Sequence, residues 1–385
     1  MSVLRYFIHG QECPCSVILL MQYTIIITQM AGGGMERFAT TVCNVLASQS
    51  RDVLLCALHP SPANAPADWL EDSVPLRTLN CSAKRAAPSL IRLCRERAGG
   101  PVLALSLEVA LVLLFLKRFK RIDNPILYRE STAVLQHNSP IWKYLIRWML
   151  PHADGLIVQS RQGLRDLQTL FSPAMPVLHL RNPCVYLESP PIRERPVDSA
   201  TAAPRLLVMG RMEAMKGQQR VLAAMPALLQ KFPEARLKLV GTGSRMEALR
   251  DLCQSMGVAD AVEFAGFMPD PRPAYAQADV LVLPSDYEGL PNVIPEAIAC
   301  GCRVIASDGG GGIRECMEDL GLEGFLLPLD EFETRLPGLV AEVLASSDAV
   351  WQAARQKLMD TAHPQKVADQ LEAFFEVVGR VEGGR

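Results

Sequence analysis

The stretch Ser285 to Ala306, SDYEGLPNVIPEAIACGCRVIA, carries two glutamates, Glu288 and Glu296, among Gly289, Pro291, Pro295 and Gly301. An apolar run, Val280 to Leu283, precedes it and a second, Arg303 to Ala306, closes it; both read as short buried strands. The residues between them predict one short helix. Pro291 and Asn292 suit its entrance, Pro295 falls in a first turn where a missing N–H costs little, and Gly301 suits the position just past its end. Glu288 then lies in the loop before the helix and Glu296 near its start. A helix N-terminus exposes unsatisfied N–H groups and positive dipole charge, so this loop can bind an anion while two carboxylates grip hydroxyls. Sugar nucleotides carry both kinds of group.

Working outward, the same alternation of strand and helix recurs. Arg205 to Met209 reads as a strand ending in GRMEAMKG, followed by a helix from Gln218 to Gln230 that Pro226 interrupts. Leu237 to Val240 turns at GTG into a helix over Met246 to Met256, Val262 to Phe264 is a further strand, and a glycine run, Gly309 to Gly312, follows Ala306. Helical spacing returns at Pro337 to Leu344 and Lys366 to Val378. Upstream, six strand-like runs begin at Tyr23, Val53, Val102, Ile126, Leu156 and Val177, with helical spacing at Phe38 to Leu46, Leu90 to Arg97 and Glu108 to Phe119. Glu188 to Pro204 is rich in proline and polar residues and reads as a linker. The expected organisation is an extension over 1–20, an α/β domain over 21–186, a linker over 187–204, a second α/β domain over 205–362, and a C-terminal helix and tail over 363–385 that packs back on the first domain.

Composition sets limits on partners and compartment. A chain of 385 residues accommodates two domains with substantial cores, and a hydrophobic fraction of 49% is globular. The formal net charge of −2 supplies no overall attraction for nucleic acid. Eleven cysteines form no CxxC pair, which fits reduced thiols in the cytoplasm better than a zinc site. No run reaches the length of a membrane span; Glu108 breaks the nearest, Val102 to Leu116. Residues 1–16 and the apolar run from Val17 to Thr28 faintly resemble a signal peptide, but Gln22 interrupts the run, and a buried first strand is the preferred reading. The cluster Lys117, Arg118, Lys120 and Arg121, with the mixture Trp142, Lys143, Tyr144, Arg147 and Trp148, can hold a protein to an anionic bilayer. Equally, cations at the end of a core helix complement its dipole.

In an open parallel sheet ligands bind outside the carboxyl ends of the strands. Three turns follow such ends in the second half: Gly210-Arg211, Gly241-Thr242-Gly243 and Pro284-Ser285. Arg211 and Lys216 share one loop, and two fixed cations are what a diphosphate leaving group requires as charge grows on it. At an effective dielectric of 20, one such pair at 4 Å attracts by about 4 kcal/mol gross, against about 0.3 to 2 for a helix dipole. The cations dominate. Near the amino end, Gly32-Gly33-Gly34-Met35-Glu36-Arg37 is no dinucleotide fingerprint, because Arg37 stands where the third glycine belongs. Those glycines either bring backbone close to a ligand or make a tight turn.

Residues 205–315 resemble the donor half of the retaining glycosyltransferases of the GT-B fold, specifically the large family 4. The matching pieces are GRMEAMKG, VGTGSRMEAL, VEFAGFMPD and ADVLVLPSDYEGLPNVIPEAIACGCRVIASDGGGGIRE, and the spacing from Glu288 to Glu296 is that family's EX7E signature. A weaker likeness extends into the first half through GGGMER and RNP. The resemblance implies two Rossmann-like parallel-sheet domains facing each other across a cleft, and a nucleotide-diphosphate sugar, a UDP-sugar by preference, as donor. Arg211 and Lys216 would bind the donor pyrophosphate, Glu296 the ribose hydroxyls, and Glu288 would lie against the sugar ring. Backbone around Ser285, Gly289, Leu290, Pro291 and Asn292 would meet phosphate or sugar oxygens. Gly241 and Gly243 would border the donor, Gly266 and Phe267 would lie near the base, and Gly33 and Gly34 would approach the phosphates. The implied reaction keeps the anomeric configuration and uses neither catalytic metal nor cofactor.

Many members of that family place a histidine after a strand of the acceptor domain. This chain has YRESTAVLQH there, with Arg129 and Glu130 at the strand end and His137 further on. Neither histidine nor base is assigned; Arg129 and Glu130 are candidates for contact with sugar or acceptor, and a local ion pair is the other reading. The implied partner is a glycan or lipid-linked acceptor in surface polysaccharide or lipopolysaccharide synthesis, met at the inner face of the cytoplasmic membrane, with no nucleic acid. A nucleotide-sugar epimerase of similar fold and a non-catalytic sugar-nucleotide-binding protein are the alternatives.

Overall fold

A computed structural model describes residues 22–30, 33–61, 69–130, 140–188 and 203–382. The 1–20 extension, His137 and most of the 187–204 linker lie outside the described residues. In the first half, β1 (Gln22–Ile27), α1 (Gly34–Ser48), β2 (Asp52–Ala57), β3 (Leu76–Thr78), α2 (Ala87–Glu96), β4 (Val102–Ala104), α3 (Leu107–Arg118), β5 (Ile126–Arg129), α4 (Pro140–Met149), β6 (Gly155–Val158), α5 (Arg161–Gln168) and β7 (Val177–His179) follow one another. Their strands form a seven-stranded sheet in the order β3-β2-β1-β4-β5-β6-β7, every neighbouring pair parallel. Strands covered by helices on both faces read as unbroken apolar runs, which is why β4 and β5 are buried throughout.

The second half contains β8 (Arg205–Met209), α6 (Gln218–Lys231), β9 (Arg236–Val240), α7 (Met246–Ser255), β10 (Val262–Gly266), α8 (Arg272–Gln277), β11 (Val280–Leu283), β12 (Tyr287–Glu288), α9 (Val293–Ala299), β13 (Arg303–Ser307), β14 (Gly310–Gly311), α10 (Ile313–Leu320), β15 (Leu326–Leu327), α11 (Phe332–Ala345), α12 (Asp348–Thr361) and α13 (Pro364–Glu382). Six strands form a parallel sheet in the order β10-β9-β8-β11-β13-β15, while β12 and β14 form a separate two-stranded ribbon. Two parallel-sheet α/β halves of this kind are the expected architecture.

Three local expectations need correction, and one helix was not foreseen. The first sheet has seven strands, not six: β3 is an exposed edge strand with the sequence LRT, too short and polar to announce itself. Pro226 does not interrupt α6; the helix runs through it, because burial of Val221, Leu222, Met225 and Leu228 outweighs a penalty of about 3 kcal/mol for an interior proline. In α11 the helix begins at Phe332, five residues before Pro337. Finally, α12 carries no strong apolar face beyond Trp351, Ala354 and Leu358, so periodicity does not reveal it.

Helix α13 lies on the first sheet rather than the second. Val367, Leu371, Phe374, Phe375 and Val378 join the apolar cluster around Tyr23, Ile25 and Phe38. The Tyr23 and Phe375 rings stack with centroids 5.1 Å apart, and the Tyr23 hydroxyl donates to Glu372 Oε1 at 3.1 Å. The chain therefore crosses between the halves twice, which ties their relative placement to the packing of one helix.

Candidate active site

The three turns expected to converge do so at the carboxyl ends of β8, β9 and β11. The Arg211 turn approaches the β9 turn so closely that a Cβ on Gly241 would stand 2.0 Å from the Gly210 carbonyl oxygen, and Gly241 holds a φ of +129°. Gly241 N–H donates to the Gly266 carbonyl at 2.7 Å, which links this turn to the end of β10. Gly243 lies beneath the backbone of Met212. These contacts fix the backbone that presents Arg211, whose own side chain is exposed.

Lys216 closes the short 3₁₀ turn after Arg211 and directs Nζ onto the Glu288 carboxylate, at 2.6 Å from Oε1 and 2.8 Å from Oε2. Ser285 Oγ donates to the same Oε1 at 2.8 Å. Both charged side chains are mostly covered, 21% and 15% exposed, so solvent screens the pair only in part. Two residues expected at the phosphate and at the sugar ring thus hold each other.

The Glu288 loop is clamped by the glycine run after β13. In the β12–β14 ribbon Glu288 stands opposite Gly311, Gly310 N–H donates to the Asp286 carbonyl at 2.8 Å, and Gly312 N–H donates to the Glu288 carbonyl at 2.8 Å. Gly311 has a φ of +82°, and a Cβ there would stand 1.9 Å from the Glu288 carbonyl oxygen. Gly289, Leu290 and Pro291 carry the chain from this clamp to Asn292, the N-cap of α9. Gly301 follows α9 with a φ of +86°, as its place in the sequence suggests.

Glu296 in the first turn of α9 accepts from the Tyr275 hydroxyl at 2.8 Å. Burial raises its carboxyl above the usual range, with Arg37 and the Tyr275 hydrogen bond pulling the other way. Glu296 opens onto a cavity of about 300 Å³ between the two halves. Gly33 and Gly34 line it from the first half; Arg211, Gly241, Phe267 and Asn292 line it from the second. Phe267 keeps 57% of its surface exposed on that wall. The bonded trio of Lys216, Ser285 and Glu288, together with Gly243, Gly266 and Gly289 to Pro291, stands outside that lining.

Arg129 and Glu130 occupy the end of β5 but face different surroundings. Arg129 is 1% exposed, its guanidinium lies 3.8 Å from the Phe38 ring centroid, and it donates to Asn182 Oδ1. Burial pulls its pKa down to about 9. Asn182 in turn donates to Asn292 Oδ1 at 2.6 Å, so the chain Arg129–Asn182–Asn292 spans the halves and ends on the cap of α9. Glu130 is 5% exposed, and burial raises its carboxyl to about 7 against the pull of Arg129. Further along the seam, Glu315 accepts from the Arg161 N–H at 2.7 Å and lies 3.3 Å from His179 Nε2, while Asp319 receives Arg161 at 2.7 Å and also Arg181.

Sequence reasoning missed Arg37, Trp69, Tyr186, Tyr275 and Asn182. Arg37 was visible only as a residue that spoils a fingerprint, yet its position one turn past Gly34 places it on the cavity wall. Asn182 lies in the RNP piece, which carried no assigned role. Trp69 and Tyr186 had no local signal.

The family model for glycosyl transferases group 1 matches residues 203–345. An uncharacterized glycosyltransferase of Haemophilus influenzae is 24% identical over 327 residues, which cover 80% of this chain and 86% of that one. The N-acetylgalactosamine-N,N'-diacetylbacillosaminyl-diphospho-undecaprenol 4-alpha-N-acetylgalactosaminyltransferase of Campylobacter jejuni is 26% identical over 245 residues, 62% of this chain and 61% of that one. Among solved structures, a sucrose-phosphate synthase from Thermosynechococcus elongatus superposes with a TM-score of 0.76 at 20% identity, covering 94% of this chain and all of that one. The fold and the group 1 match together define a glycosyltransferase of GT-B architecture.

Proposed function

We propose that this chain is a retaining, family 4 glycosyltransferase that moves a sugar from a nucleoside-diphosphate sugar, a UDP-sugar by preference, to a lipid-linked or glycan acceptor in surface-polysaccharide or lipopolysaccharide synthesis. The observation that carries the proposal is that Arg211 and the Tyr275-bonded Glu296 line one cavity between the halves, with the bonded Lys216–Glu288 pair on the adjoining loops after β8 and β11. Lys216 exchanges Glu288 for the donor's diphosphate, which joins it to Arg211 on the growing negative charge; the freed Glu288 then faces the sugar ring. Glu296 takes the ribose hydroxyls. The bond from the anomeric carbon to the phosphate oxygen breaks, the acceptor oxygen bonds to the same face of that carbon, and the acceptor's proton passes to the departing phosphate. Arg129, committed to Phe38 and Asn182, acts on this site through Asn292.

A lipid-linked acceptor, as named for the Campylobacter relative, calls for a membrane-facing surface. Phe115, Phe119, Ile141, Tyr144 and Trp148 are 45% to 69% exposed on α3, α4 and the turn after α3, beside Arg118, Lys120, Arg121, Lys143 and Arg147. This surface supports docking at the inner face of the cytoplasmic membrane. Lys117 is set apart from it by its ion pair to Asp154 at 2.7 Å. Among the described residues no helix is long and apolar enough to cross a membrane.

The proposal is tested by incubating the protein with UDP-, GDP- and ADP-sugars and a lipid-linked acceptor extract, then following nucleoside diphosphate release and the anomeric configuration of the product. Retention with one donor class supports it, whereas no release, or inversion, refutes it. Replacing Arg118, Lys120 and Arg121 by Ser should weaken sedimentation with anionic vesicles, and unchanged sedimentation would remove the membrane part.

A further inference from the structure

We propose that Arg37 is a donor-contacting residue, whose guanidinium reaches the diphosphate of the nucleotide sugar from the side of the cavity opposite Arg211. The inference deepens the proposed function and rests on it. Arg37 lies in the first turn of α1, directly after Gly33 and Gly34, and lines the same cavity as Arg211, Phe267 and Glu296. Its position is built. The guanidinium carbon stands 4.0 Å from the Trp69 ring centroid and 5.6 Å from that of Tyr186, so two aromatic rings anchor it. Among the described residues no carboxylate lies within ion-pair distance of it. Glu36, its neighbour on α1, turns back to accept from the Gly33 N–H at 2.9 Å.

The cavity's charge inventory points the same way. Its charged lining is Arg37, Arg211 and Glu296, two cations against one carboxylate that Tyr275 bonds and Arg37 attracts, a net positive wall. A cavity so lined attracts an anion, and a planar five-donor fork suits phosphate oxygens. Because Arg37 and Arg211 belong to different halves, a diphosphate held by both would also draw the halves together. An arginine serving only to pack on Trp69 would show no preference for phosphate.

The test is calorimetric titration with UDP, GDP and ADP and with the matching monophosphates. Wild type should bind the diphosphate of one base. Arg37→Ala should lower that affinity at least tenfold while lowering the monophosphate's affinity clearly less; Arg37→Lys, which keeps charge but loses fork and stacking, should fall between. Trp69→Leu, which keeps the cation but removes its anchor, should weaken the diphosphate in the same sense. Should Arg37→Ala lose its circular-dichroism spectrum, Arg37→Lys decides the matter by the same diphosphate-to-monophosphate ratio. Binding of the diphosphate within twofold of wild type, or equal losses for both nucleotides, overturns this inference alone. Failure of wild type to bind any of them overturns the site reading as well.

Discussion

Removing the charge of Lys216 should destabilise the second half of the protein in a way that removing Glu288 as well partly repairs. Nζ lies 2.6 and 2.8 Å from the two carboxylate oxygens, and the side chains are 21% and 15% exposed. At an effective dielectric of 20, unit charges about 4 Å apart attract by about 4 kcal/mol. Desolvation offsets roughly half of that, so Lys216→Met, which strands Glu288 with Ser285 as its remaining side-chain donor, should cost about 2 kcal/mol. For a unit of this size about 2 kcal/mol corresponds to a lowering of Tm by about 4–8 °C. Glu288→Gln should cost somewhat less, because a neutral amide still accepts from Lys216. The double variant removes both charges, and a coupling of about 1–2 kcal/mol should return. Scanning calorimetry of wild type, both single variants and the double variant measures the cycle. Strictly additive shifts would refute the pairing, and with it the claim that Lys216 must exchange partners to reach a phosphate.

Three further outcomes follow from particular contacts. Glu130 has a folded pKa of about 7 against 4.5 for the ordinary group, so the folded state binds the proton more tightly. The stability this confers is complete below about pH 4.5, is lost as pH rises through 7, and amounts to about 3 kcal/mol. Glu130→Gln should flatten that decline in denaturation measured from pH 4.5 to 8, and an unchanged slope would contradict the burial argument. Asn182→Ala removes a partner of Arg129, whose Nε has none among the described residues, and should cost about 1–3 kcal/mol by thermal denaturation. Gly311→Ala forces a Cβ into the Glu288 carbonyl and should cut nucleotide-sugar turnover at least tenfold, whereas wild-type turnover would show that the clamp is dispensable.

The second half was legible because its chemistry is local in sequence. Strands such as β8 and β11 fall at the ends their apolar runs predict, and the α9 entrance, its Pro295 and the trailing Gly301 stand where capping rules put them. The first half was readable as an alternation and little more. Its edge strand β3 has no apolar signature, and its contribution to the cavity comes from residues far apart in sequence, Arg37, Trp69 and Tyr186, that only the folded chain brings together. Pairing was illegible too: nothing in the spacing of Lys216 and Glu288 says that they grip each other. The β5 end shows the same limit. Sequence put Arg129 and Glu130 side by side as equals, and burial separates them, the first onto Phe38 and Asn182, the second into an environment that favours its protonated form.

The central claim is that the loops carrying Arg211, Lys216, Glu288 and Glu296 hold a nucleoside-diphosphate sugar. Titrating UDP-, GDP- and ADP-sugars into wild type, Lys216→Met and Glu296→Gln by calorimetry tests it most directly. One donor class should bind the wild type, with at least tenfold weaker binding in each variant. Absence of binding to every nucleotide sugar, or variants that bind as wild type does, would contradict it.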